Sequence, residues 1–164
     1  MADTSTVLHL VEIDRPDLLC LFQTVTVSQH VRSELRRQRA LQPAARALAG
    51  KLKVKGITFE QLRQAEERVS GFKLQEADVS TAALAEAVRP DVVLTDDLAL
   101  RKALESQGWI AVGSVGVLIR AFRTGLLSQE ELPDILGRLL DNSSLYTSEA
   151  FRAHVRDLLN EEAS

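Results

Sequence analysis

The chain has 164 residues, 45% of them hydrophobic and only 4% aromatic, and carries a net charge of −3. That length suits a single domain, 1–164, whose core must be built from Leu, Val, Ala and Ile. The mildly acidic balance excludes a globally basic nucleic-acid binder, and no apolar run approaches the ~18 residues of a membrane span.

The start, Met1-Ala2-Asp3-Thr4, lacks the charged and apolar regions of a signal peptide. Residues 7–13 fit either a strand or a helix with Val7, Leu10 and Val11 on one face. Arg15-Pro16-Asp17 interrupts this pattern, and Leu18 to Phe22 is a short apolar piece. Cys20 stands alone between Leu19 and Leu21, so it forms no internal disulfide and is expected to be buried as a small apolar residue. A lone cysteine suits a reducing cytoplasm. Thr24 to Val27 is β-branched throughout and predicts a strand. Ser28 then offers an N-cap to a helix over 29–38.

Pro43 opens a short helix through Leu48, ended by Gly50. Lys51 to Ile57 alternates as an exposed strand would, or forms a basic loop. Thr58 and Gln61 make a capping box for a helix with Phe59, Leu62 and Val69 on one side and Gly71 after it. Residues 78–88 predict an alanine-rich helix, with Asp78 placed in its first turn and Pro90 ending it. Val92-Val93-Leu94 predicts a buried parallel strand running into Thr95-Asp96-Asp97. A helix over 98–107 follows, ended by Gly108, and Asp97 could cap it. Trp109 to Val112 predicts the last strand. Gly113-Ser114-Val115-Gly116 then turns into a helix carrying Val115, Leu118, Ile119 and Phe122. Ser128 and Glu131 form a second capping box, for a helix through Leu140. Residues 141–144 form a loop, and 147–159 a final helix with Phe151, Val155 and Leu158 on one face. The polar end, 160–164, is expected to fray.

Strands separated by helices imply a parallel sheet in three layers. The carboxyl edge of such a sheet is where ligands bind. Asp3, Glu34, Asp78 and Asp96 or Asp97 fall where that edge could gather them. Clustered carboxylates repel and need a proton or a cation to coexist, and hard oxygen ligands suit Mg²⁺ or Mn²⁺. Other chemistries are poorly supplied. His9, His30 and His154 follow no metal-ligand spacing, and one cysteine makes no zinc site. The turn 113–116 has no following Gly-Lys-Ser/Thr, so it is no P-loop. Charge is unevenly placed: Arg32, Arg36, Arg37, Arg39, Arg46, Lys51, Lys53 and Lys55 crowd residues 31–55, opposed only by Glu34. Such a patch fits an anionic partner or a solvated helix face.

The stretch from Asp91 through Thr95-Asp96-Asp97 to Ala103, with Gly108-Trp109-Ile110-Ala111-Val112-Gly113-Ser114-Val115-Gly116, resembles the PIN-domain family. It is most similar to small prokaryotic proteins described as predicted nucleic-acid-binding PIN proteins, related to VapC-type toxins. Asp3-Thr4-Ser5 and Val31-Arg32-Ser33-Glu34-Leu35 extend the likeness. It covers a core of 3–125, with a C-terminal helical extension over 126–160. The resemblance implies a helix-rich three-layer α/β/α fold around a short central parallel sheet, and it makes residues 5–12 helical. It implies four acids holding divalent metal: Asp3 first, Glu34 second, Asp78 third, with Glu76 a weaker substitute. Spacing from Asp78 favours Asp96 as the fourth, while the Thr-x-Asp form of related toxins favours Asp97, and both are kept. The family's first strand precedes the first acid, whereas here only Met1 and Ala2 do, so that strand is expected to be truncated.

The implied activity is metal-dependent hydrolysis of RNA phosphodiesters with Mg²⁺ or Mn²⁺, as the toxin of a type II toxin–antitoxin pair. Thr95 and Ser114 would position water or phosphate, and Arg32, Arg36, Arg37, Lys51 and Lys53 would hold the RNA backbone. The implied partners are RNA, a small antitoxin and a second copy of the chain, with no membrane. The alternative is a catalytically weak or inactive PIN-like module that binds nucleic acid or a protein partner.

Overall fold

In the computed structural model, which describes residues 1–162, the first three residues lie at the centre of the sheet. β1 (Val25–Ser28) pairs in parallel with β2 (Leu52–Lys55), Val25 opposite Leu52 and Ser28 opposite Lys55. β3 (Val93–Leu94) pairs in parallel with β4 (Ala111–Val112). Residues 1–3 join the two pairs. Ala2 N donates to Thr26 O at 3.0 Å on one side. On the other, Leu94 N donates to Met1 O at 2.8 Å and Asp3 N to Leu94 O at 3.0 Å. The spatial order is therefore β2, β1, residues 1–3, β3, β4. Residues 1–3 take the place of the first strand, and three residues suffice there because both neighbours supply hydrogen bonds.

Side-chain alternation along the strands divides the molecule into layers. Met1 and Val93 pack in one apolar cluster with α4 (Phe59–Arg68), α5 (Glu76–Val88) and α6 (Leu98–Ser106). Ala2, Leu94, Val25 and Val27 join the other. That second cluster is built by α1 (Thr4–Glu12), α2 (Gln29–Arg37), α3 (Leu41–Leu48), α7 (Ser114–Arg123), α8 (Glu131–Asn142) and α9 (Glu149–Glu162). The result is a helix-rich α/β/α fold around a short parallel sheet. Among the described residues, no helix is long and apolar enough to cross a membrane.

The caps form as the sequence predicts. Ser28 accepts from Val31 N at 3.1 Å, and Thr58 and Gln61 close a reciprocal box. Ser128 N donates to Glu131 Oε2 at 2.8 Å, while Glu131 N donates to Ser128 Oγ at 3.2 Å. Residues 5–12 are helical. α3 starts at Leu41, leaving Pro43 in its first turn, where no helical N–H is needed.

Other expectations fail. Residues 16–21 form a 3₁₀ helix, whose three-residue turn buries Leu18 and Leu19 and leaves Cys20 exposed, its Sγ against Ala47 O at 3.1 Å. Phe59 is 82% exposed, because only Leu62 and Ala65 of α4, with Val69 just after it, join the apolar cluster on α5's side. The last strand shortens to two residues, and Ile110 is 65% exposed at its start. α8 runs through Asn142, past the expected loop start. In α9, Val155 is buried while Phe151 remains exposed. The helix extends to Glu162, and residues 163–164 of the polar end lie outside the described residues.

Candidate active site

The carboxyl ends of the strands meet on one side of the molecule, and each delivers polar groups there. Asp3 ends the central segment, Thr95-Asp96-Asp97 follows β3, and Gly113-Ser114 follows β4. Asp78 comes from the first turn of α5 and Glu34 from the second turn of α2.

Asp3, Asp78 and Asp97 line one cavity of about 220 Å³, with Thr4, Ser5 and His9 in its wall. Asp3 is 3% exposed. Its carboxylate accepts from Thr95 Oγ1 at 2.6 Å, from Ser5 Oγ at 2.9 Å and from Thr6 N at 3.4 Å. Burial raises its pKa against those hydrogen bonds, the Asp96 charge adds to the rise, and the net result is about 7. Asp78 Oδ2 accepts from Gln75 N at 2.9 Å, the return half of the capping box that starts α5. Burial pushes Asp78 up, and repulsion from Asp97 and Glu34 adds to it. Glu34 is tied in by Thr4, whose Oγ1 donates to its Oε2 at 2.5 Å. Of the acids expected together, Asp3, Asp78 and Asp97 thus surround one space, and the charges of Asp97 and Glu34 act on Asp78.

Asp96 stands elsewhere. Its Oδ1 accepts from Ser114 N at 2.7 Å. Its Oδ2 accepts from Ser114 Oγ and from Thr6 Oγ1 at 3.3 Å, and lies 2.7 Å from His9 Nδ1. Burial pushes its pKa up, but the hydrogen bonds from His9 and Ser114 outweigh burial and hold it below the usual carboxylate range. Asp96 therefore ties α1 to α7 across the end of β3. Asp97 caps α6, its Oδ1 accepting from Leu100 N at 2.7 Å, and still faces the cavity.

Thr95 is fully buried and spends its hydroxyl on Asp3 and on Asp97 N, at 2.6 and 3.1 Å. Ser114 is also fully buried, against Asp96. Both order the acids rather than face the cavity. Glu76 pairs with His30 at 3.0 Å and lines a neighbouring cavity of about 440 Å³ with Arg37 and Glu34. Arg32, Arg36, Lys51 and Lys53 are exposed, and Arg37 lies 3.8 Å from Glu34.

Sequence reasoning missed three residues here. His9 follows no metal-ligand spacing and a lone histidine is more often structural, but a helix over 5–12 puts Thr6 and His9 on one face, three residues apart. Arg101 donates to Thr95 O at 3.0 Å and to Ala111 O at 3.2 Å, pinning the ends of β3 and β4 together. Gly113 lies so close to Asp96 Oδ1 and Arg101 that a Cβ there would collide with both.

The donor set suits a hard divalent cation, because it is all oxygen and the charges of Asp97 and Glu34 already bear on Asp78. As placed, the carboxylates are spread around the cavity, and among the described residues no three metal-binding side chains converge on one point. Asp3, Asp78 and Asp97 are the residues that would hold such an ion.

A family model described as a PIN domain matches residues 1–161. PIN domains are in general nucleases, and in general they use divalent metal ions. No curated protein and no solved structure matches the chain. With a match over nearly its whole length, on a parallel sheet whose carboxyl edge carries the acids, the chain belongs to the PIN-domain family.

Proposed function

We propose that this protein is a Mg²⁺- or Mn²⁺-dependent endoribonuclease of the VapC-like kind, the toxin of a type II toxin–antitoxin pair. One observation carries the reading. Asp3, Asp78 and Asp97 come from three separate parts of the chain to one cavity, and Glu34 is coupled to it. Burying Asp3 and half-burying Asp78 beside the like charges of Asp97 and Glu34 costs stability and suits a site built to be neutralised. A bound divalent ion would supply that neutralisation and stabilise charge on phosphoryl oxygens. The chain's part is to fix the acids: Thr95 and Ser5 orient Asp3, the Gln75 cap orients Asp78, and the α6 cap orients Asp97. Exposed Arg32, Arg36, Lys51 and Lys53 and the nearby Arg37 are the residues for the RNA backbone, which such contacts position without reading sequence. An open, negatively charged cavity also fits a cationic side chain from a small antitoxin. A homodimer belongs to the same reading.

The test is RNA cleavage in Mn²⁺ or Mg²⁺ by the protein and by its Asp78→Asn variant, in which the amide oxygen can still cap α5. Loss of cleavage in the variant and in chelator is expected. Equal cleavage by both proteins, or cleavage that survives chelator, sinks the mechanism.

A second reading has its own support. The acids do not converge, and Asp3 is already saturated by hydrogen bonds, as in a module that binds nucleic acid or protein without cutting. RNA binding with no metal binding by calorimetry would favour it.

A further inference from the structure

His9 is an expensive residue for its position. Its neighbours on the inner side of α1, Val7 and Leu10, are fully buried and apolar, whereas His9 is 6% exposed against a buried carboxylate. Asp96 does not need it for satisfaction, since Ser114 N, Ser114 Oγ and Thr6 Oγ1 already donate to it. What the contact does is fix the ring. A carboxylate only accepts, so Nδ1 carries a proton toward Asp96 at 2.7 Å, and Nε2 points away from it.

Nε2 has no hydrogen-bond partner among the described residues. No buried side-chain nitrogen or oxygen among them lacks one, so Nε2 is open to solvent. The space His9 lines is the cavity of Asp3, Asp78 and Asp97. The hydroxyls of Thr4 and Ser5 in the same wall are committed to Glu34 and Asp3.

We infer that His9 contacts the sugar–phosphate of RNA bound at the acid cavity, through an Nε2 held in place by Asp96. The inference rests on the ribonuclease reading. At such a step the ring has two complementary groups available. With its one proton on Nδ1, the neutral ring accepts at Nε2 from a ribose 2′-hydroxyl; as the doubly protonated imidazolium it donates from Nε2 to a non-bridging phosphate oxygen, and both groups belong to the same nucleotide.

The decisive pair is His9→Asn and His9→Gln. The Asn amide nitrogen can replace Nδ1 toward Asp96 but leaves nothing at the Nε2 position. The Gln amide reaches the Nε2 position but gives up the bond to Asp96. His9→Asn should keep the thermal midpoint and lose about tenfold or more in kcat/KM on RNA, with partial recovery in His9→Gln. A His9→Asn protein that cleaves like the wild type overturns the contact and leaves the ribonuclease reading standing.

A single 2′-deoxy nucleotide at the scissile step separates the two sources. If its cost disappears in His9→Asn, Nε2 accepts from the 2′-hydroxyl. If its cost is the same in both proteins, with His9→Asn still impaired, Nε2 donates to phosphate. Should His9→Asn not fold, the wild-type Nε2 ¹⁵N resonance answers instead. It should shift on adding a short phosphorothioate RNA in Mg²⁺, and an unmoved resonance with bound RNA overturns the contact. Wild-type protein that cuts no RNA overturns the ribonuclease reading, and in that case the same resonance decides the contact alone.

Discussion

Asp96 and Asp97 share a peptide bond, yet their carboxylates belong to different parts of the molecule. Asp96 is enclosed by His9, Thr6 and Ser114, while Asp97 caps α6 and opens on the cavity shared with Asp3 and Asp78. Two conservative variants should separate these roles. Asp97→Asn keeps a good N-cap, so its stability should stay within about 0.5 kcal/mol while cleavage falls on the order of 100-fold. Asp96→Asn sets an amide NH₂ against donors in a buried setting where the carboxylate accepts four hydrogen bonds, and should cost about 2 kcal/mol of stability. Urea unfolding and RNA cleavage on both proteins check the split, and equal stability losses would refute it.

Gly113 is held to its identity by Asp96. A Cβ there meets Asp96 Oδ1 and the Arg101 guanidinium, both fixed by further hydrogen bonds. Gly113→Ala should therefore destabilise the protein by about 1–3 kcal/mol, read as a lowered thermal midpoint. The backbone there is extended, so the penalty is steric crowding alone.

Asp3 makes stability depend on pH in a particular direction. Its folded pKa is raised to about 7 from 3.8, so between those values the folded protein holds a proton that the unfolded chain has lost. The metal-free protein should then lose stability as pH climbs from about 4 to about 7, by as much as a few kcal/mol. Asp78, also raised, adds in the same sense. Asp96 acts oppositely, and only as pH falls below about 4, because its folded pKa is depressed. Denaturant midpoints in chelator across this range measure the slope. Added Mg²⁺ or Mn²⁺ should flatten it, because a bound cation takes the place of the proton.

Cys20 should behave as a surface thiol. It is exposed on the 3₁₀ helix, so one equivalent per chain should react with a disulfide reagent under native conditions. Reaction only after denaturation would show the turn to be packed over.

The sequence announces its helix starts and says less about what covers each helix. Ser28, Thr58 with Gln61, Ser128 with Glu131, and Asp97 all cap as their positions imply, because capping is decided within four residues. Phe59 fits an apolar stripe on α4, yet no partner reaches the first residue of that helix. Cys20 follows from the choice of a 3₁₀ over an α turn, which short apolar runs do not reveal. Within the site, the acids are legible as residue types at strand ends. The division between Asp96 and Asp97 is not, because it depends on Ser114 and on His9, 18 and 87 residues away in the chain.

The placement of residues 1–3 between β1 and β3 has a consequence for assembly. Asp3 leaves the ribosome more than ninety residues before Thr95, its nearest hydrogen-bonding partner outside α1. Closing such a separation costs entropy that only the finished contacts repay. The β1–β2 pair and its helices can form early, as a frame with an unfilled slot beside β1. Inserting the leading segment then closes the sheet and completes the acid cavity in one event. A nascent chain would thus carry its acids without a site until residues around Asp97 had emerged, and cleavage competence would arrive abruptly and late in synthesis.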